Sequence, residues 1–86
     1  YELVYEGRTQ SLSGKEFQVL EMLLQNPRMI LKTERFITHI WGWETSVDTS
    51  VVWVHISNLR KKIDAVKAPV RIRFVRNAGY ILEEAE

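Results

Sequence analysis

The 86-residue chain has no cysteine, only two prolines and four glycines, and almost no net charge: 12 Lys and Arg stand against 11 Asp and Glu, leaving +1. Without cysteine there is no disulfide framework and no thiolate-ligated metal. Gly7, Gly14, Gly42 and Gly79 are scattered, so no glycine-rich loop exists to cradle a phosphate. Apolar runs such as Met29-Ile30-Leu31 are far shorter than the roughly 20 residues that cross a bilayer, so a soluble domain without a membrane partner is expected. His39 and His55 stand apart from each other and from any carboxylate cluster, which argues against a metal site. No nucleophile, base and orienting group fall into a catalytic pattern, so neither enzymatic activity nor a cofactor is expected. What is present is a 45% apolar content that disfavours disorder. The length suits one domain over residues 1–86, with little room for a deep cleft. The chain starts at Tyr1 rather than Met and carries no leader pattern, so a longer parent protein is expected.

The near-zero charge hides an uneven distribution. Residues 1–46 carry a net −1, residues 47–82 a net +5, and the tail glutamates Glu83, Glu84 and Glu86 contribute −3. A local cluster of bases attracts a polyanion even when the whole domain is nearly neutral. The competing reading is an ordinary solvated surface, since Lys and Arg are common on helix faces.

The order of elements sharpens this. Residues 2–5 and 8–11, with Glu6-Gly7 between them, read as a short hairpin. Ser13-Gly14-Lys15-Glu16 has the capping-box pattern, and Phe17, Leu20, Leu23 and Leu24 continue with helical spacing until Asn26-Pro27 stops the helix. Met29-Ile30-Leu31 reads as a short strand. Thr33 is an N-cap candidate for a second helix marked by Phe36, Ile37, Ile40 and Trp41 and stopped at Gly42. A third helix, over about 49–65, begins at Asp48 or Thr49 and has a buried stripe of Val52, Ile56, Leu59 and Ile63. Another stripe of the same helix, Ser50, Trp53, Val54, Ser57, Asn58 and Lys61, is neither core nor purely charged. Residues 70–75 and 80–82 then form a basic hairpin around Asn77-Ala78-Gly79. Phe17, Leu20, Phe36, Ile40, Trp41, Ile56 and Leu59 are expected in the core, Phe74 and Tyr80 facing it, and the tail glutamates in solvent. The fold class is therefore α+β: a winged helix-turn-helix of three helices, a short N-terminal β-hairpin and a C-terminal β-hairpin wing over 71–82. An α-helix fits the DNA major groove, and a basic hairpin beside it reaches the adjacent groove or backbone.

From Leu12 to Leu82 the chain resembles the C-terminal effector domain of OmpR/PhoB-family response regulators. Leu12-Ser13-Gly14-Lys15-Glu16-Phe17 is similar to that family's entry into helix 1, and Ile40-Trp41-Gly42 to its helix-2 end. Val54 through Ile63 is similar to its recognition helix, and Ile72 through Tyr80 to its wing. The resemblance implies sequence-specific binding to double-stranded DNA as a dimer on tandem half-sites and control of transcription. It further implies an upstream receiver domain, a sensor histidine kinase, a cytoplasmic bacterial setting, and a contact with RNA polymerase through loop 43–47. The family has four N-terminal strands, of which one hairpin's worth is present. Ser50, Trp53, Ser57, Asn58, Phe74 and Asn77 depart from the family's usual residues, so a different recognition sequence is implied.

The candidate base-reading residues are Trp53, Val54, Ser57 and Asn58, with Asn58 suited to bidentate pairing with adenine and Val54 to a thymine methyl. Trp53 has two readings: it packs against its own domain, or it meets a sugar–phosphate edge or a base methyl. Ser50, His55, Arg60 and Lys61 are candidates for the DNA backbone, and Arg76 and the weaker Arg73 for the minor groove. Lys62 sits on the flank and suits either use. Five bases neutralising phosphates would give a log-affinity against log-salt slope of roughly −4 to −5. The competing function is a winged helix that binds a protein through residues 43–53 and no DNA.

Overall fold

The computed structural model describes residues 1–42 and 47–85. Strands β1 (Glu2–Tyr5) and β2 (Arg8–Ser11) precede helix α1 (Gly14–Gln25). Helix α2 (Thr33–Phe36) runs on into a π-helical turn (Ile37–Trp41), followed by α3 (Thr49–Val66), β3 (Val70–Val75) and β4 (Gly79–Glu84). This is the α+β order read from the sequence, with both hairpins antiparallel.

Local chemistry accounts for most boundaries. In the first hairpin Glu6 and Gly7 take φ of 47° and 80°, the left-handed pair whose twist matches that of the strands. The α1 capping box is complete: the Glu16 amide donates to Ser13 Oγ at 3.1 Å and the Ser13 amide to Glu16 Oε1 at 3.0 Å. Asn26 ends α1 in a non-helical conformation ahead of Pro27, and its Nδ2 donates to the Met22 carbonyl. Asp48 caps α3 by accepting from the Ser50 amide at 3.2 Å. Val52, Ile56, Leu59, Ile63 and Val66 bury one side of α3 almost completely against α1, α2 and both hairpins.

Four expectations need correction. Met29-Ile30-Leu31 does not form a strand: only Leu31 pairs, in a bridge to Tyr80, while Met29 and Ile30 are exposed. The β4 strand has already spent one edge on β3, and its other edge meets this segment at a single residue. Thr33 is the first residue of α2, not its cap; Lys32 holds the cap position with no side-chain bond. Phe17 is half-buried: it packs against the core cluster instead of within it, and exposed Tyr1 stacks on its ring at 4.1 Å. Glu83 and Glu84 belong to β4 instead of a free tail, since Glu83 lies opposite Arg71 and pairs with it.

The wing is anchored at its base. Leu31 and Tyr80 exchange backbone hydrogen bonds of 2.8 and 2.9 Å, tying β4 to the segment that leads into α2. Gly79 beside this bridge has φ of 140°, and a Cβ there would lie 2.0 Å from the Leu31 carbonyl oxygen. Only glycine fits this approach.

Candidate nucleic-acid interface

The side of α3 opposite its buried stripe is open. Trp53 is 56% and Val54 46% exposed, Ser50 and Lys61 are exposed, and Ser57 and Asn58 are half-buried. Spacings of three and four residues put these side chains on one face, as the sequence pattern implied. Asn58 and Ser57 thus offer donors and acceptors beside the apolar Val54.

Several basic residues are already engaged. Lys62 donates to Glu16 Oε1 at 2.6 Å and to the Ser11 carbonyl at 2.7 Å, so it clamps α3 to α1 and the first hairpin. Burial opposes ionisation of Glu16, but the Lys62 ammonium and the Ser13 amide outweigh it and hold the carboxyl below its ordinary value. Arg60 donates through Nε to the Ile72 carbonyl at 3.0 Å, fastening α3 to β3. The His55 Nδ1 lies 2.8 Å from the Val51 carbonyl, and its ring sits edge-on to Trp41 at 5.3 Å, so the imidazole is held in a fixed orientation.

The two faces of the wing differ. Arg71 and Arg73 donate to the same Glu83 oxygen at 2.9 and 2.8 Å, and hydrogen bonding from Arg73 above all holds that carboxyl below its ordinary value. Strand alternation puts Phe74 and Ile72 on the other face. Ile72 is buried, whereas Phe74, expected to face the core, is 53% exposed. It lies nearer the turn, tilted over buried Tyr80 at 5.3 Å, where a groove faces it in place of a packed helix. Burial pushes the Tyr80 phenol up. Arg76 stands exposed in the turn, where Asn77 takes the left-handed φ of 64°.

Trp53, Arg60 and Phe74 therefore converge on one groove between α3 and the wing, joined by Thr33, Glu34, Thr49 and Ser50. Thr33, Thr49 and Glu34 had no sequence signal for this role, since only tertiary packing brings the start of α2 to the wing. Loop 43–47, apart from half-buried Val47, lies outside the described residues, as does Trp43. Among the described residues no group of three His, Asp or Glu is placed to hold a metal, and no helix is long and apolar enough to cross a membrane.

Three helices with a hairpin following the last define a winged helix-turn-helix. Residues 7–82 match the family described as "Transcriptional regulatory protein, C terminal", and the chain belongs to this family of DNA-binding transcription regulators, the OmpR/PhoB type. It is 36% identical over 83 residues to the heme response regulator HssR of Staphylococcus saprophyticus, covering 96% of this chain and 37% of that protein. It is 39% identical over 85 residues to the transcriptional regulatory protein TrcR of Mycobacterium tuberculosis, covering 99% and 33%. The chain thus spans about a third of the length of these relatives. Among solved structures, the DNA-binding domain of Klebsiella pneumoniae RstA in complex with the RstA box aligns with a TM-score of 0.74 at 31% identity, covering 98% of this chain and 82% of that one. The DNA-binding domain of Escherichia coli CadC aligns with a TM-score of 0.84 at 28% identity, covering 96% and 78%.

Proposed function

We propose that residues 1–86 form the effector domain of a two-component response regulator that reads double-stranded DNA. The observation that carries this is the open face of α3, with Val54, Ser57 and Asn58 accessible beside a wing whose tip presents Arg76. In this reading α3 enters the major groove, where Asn58 pairs with a base edge, Ser57 adds a second polar contact and Val54 meets a thymine methyl. Arg76 enters the adjacent minor groove. Lys61, Arg60, Ser50 and His55 Nε2 face the sugar–phosphate backbone. Arg73 is the weaker wing contact, because Glu83 already neutralises part of its charge.

The same reading places an upstream receiver domain in the full-length protein, phosphorylated by a sensor histidine kinase in the bacterial cytoplasm, with two copies bound as a dimer to tandem half-sites. Loop 43–47 is proposed as the contact for RNA polymerase. Selection of duplexes from a random pool by this chain tests the core of the reading. An enriched motif with a repeated half-site is expected; retention of no sequence would favour a protein-binding winged helix instead.

A further inference from the structure

A groove of about 580 Å³ separates the first half of α3 from the wing. Its two facing walls carry large apolar side chains in an unusual setting: Trp53 from the helix and Phe74 from β3, each more than half exposed. Arg60 lines the same space, as do Glu34 and the hydroxyl residues Thr33 and Ser50. Exposed aromatics are costly in water, and here two of them face one space beside a guanidinium and hydroxyl groups.

The geometry of B-DNA says what fits there. Adjacent major and minor grooves are divided by a single sugar–phosphate strand. A helix in one groove and a wing in the next must straddle that strand, so the space between helix and wing is where it runs. Deoxyribose offers apolar C–H faces, and the phosphates flanking it call for cationic or hydroxyl donors. We propose that the groove seats this one strand, with Trp53 and Phe74 packed on deoxyribose faces and Arg60 directed to the intervening phosphate. Trp53 is then a backbone-positioning residue that supplies affinity on every sequence and stands apart from the base readers Ser57 and Asn58. The inference rests on the DNA-binding reading above.

The test uses a duplex recovered by this chain from a random pool, with single ribonucleotides placed in turn along each strand. A 2′-hydroxyl sets a polar group on the sugar face that the aromatics cover. Binding is expected to weaken about fivefold at one or two neighbouring positions of one strand, between the helix and wing footprints, and to be flat elsewhere. Trp53→Ala and Phe74→Ala are each expected to weaken binding roughly tenfold on selected and unrelated duplexes alike, and to abolish the ribonucleotide penalty. Their salt slopes should match the parent chain, since an apolar contact releases no counterions. Trp53→Leu should recover part of the loss, and circular dichroism should show all three variants folded. A flat ribonucleotide scan on a tightly bound duplex would overturn the strand cradle, as would a Trp53→Ala loss confined to the selected sequence; both would leave DNA binding standing. Failure to bind any duplex would overturn the cradle and the DNA-binding reading together.

Discussion

Asn58 and Arg60 are two residues apart on α3, yet they differ in what holds them. Asn58 is half-buried on the open face, whereas Arg60 bonds the Ile72 carbonyl. Asn58→Ala is therefore expected to cost roughly 1–3 kcal/mol on the preferred site and little on others. Arg60→Ala should weaken all duplexes alike and also lower stability by about 1 kcal/mol, because it releases β3 from α3. Gel shifts on preferred and scrambled duplexes, with urea unfolding of each variant, separate the two. Glu16 sets a pH dependence at the same scale. Its carboxyl is held below its ordinary value of 4.5 in the folded chain, so its contribution to stability is full above that value and is lost as pH falls through the lower folded value. Glu16→Gln should lower the urea midpoint at neutral pH and flatten the acid limb of the stability curve. An unchanged acid limb would show that the Lys62 clamp contributes nothing there.

Among the elements, the wing depends most on contacts outside itself. Its own hairpin is six residues a side, and its turn uses Asn77 at positive φ. Its placement relative to α3 rests on the Leu31–Tyr80 bridge and the Arg60 bond. Gly79→Ala would drive a methyl into the Leu31 carbonyl at a φ that L side chains avoid, and a loss of more than about 3 kcal/mol is expected. Thermal unfolding checks this directly. The helices were legible from the sequence because their signals are local. Ser13 and Glu16 are three residues apart, and the α3 stripe repeats every three or four. The α3 boundary at Val66 falls one residue beyond the expected end, with Lys67 in the left-handed conformation closing it. Met29 and Ile30 misled because three apolar residues in a row carry no period, and only the partner edge decides whether they pair.

For the molecule as a whole, the central question is how many charges are available to a polyanion. The basic third of the sequence counts seven Lys and Arg. In the fold Lys62 serves Glu16, and Arg71 and Arg73 share Glu83; of the other four, Lys67 closes the C-terminal end of α3, and Lys61, Arg76 and the outer part of Arg60 face the proposed DNA side. With three to four phosphate contacts per domain, the log-affinity against log-salt slope should be about −3 to −4, shallower than the raw count of bases implies. Titrating potassium chloride against binding to a half-site duplex measures it, and a slope near zero would contradict a phosphate-bound complex.

The sequence by itself determined the three helices, the Ser13 and Asp48 caps of α1 and α3, the buried side of α3 and the family, because those follow from neighbours within one helical turn and from motifs in fixed order. The tertiary structure alone decided which bases are free, why Phe74 is exposed, and that Trp53, Arg60 and Phe74 share one groove. Those outcomes join residues far apart in the chain, such as Lys62 to Glu16 at a separation of 46. No local period encodes such a meeting; it arises when burial of the common core sets the distances between elements.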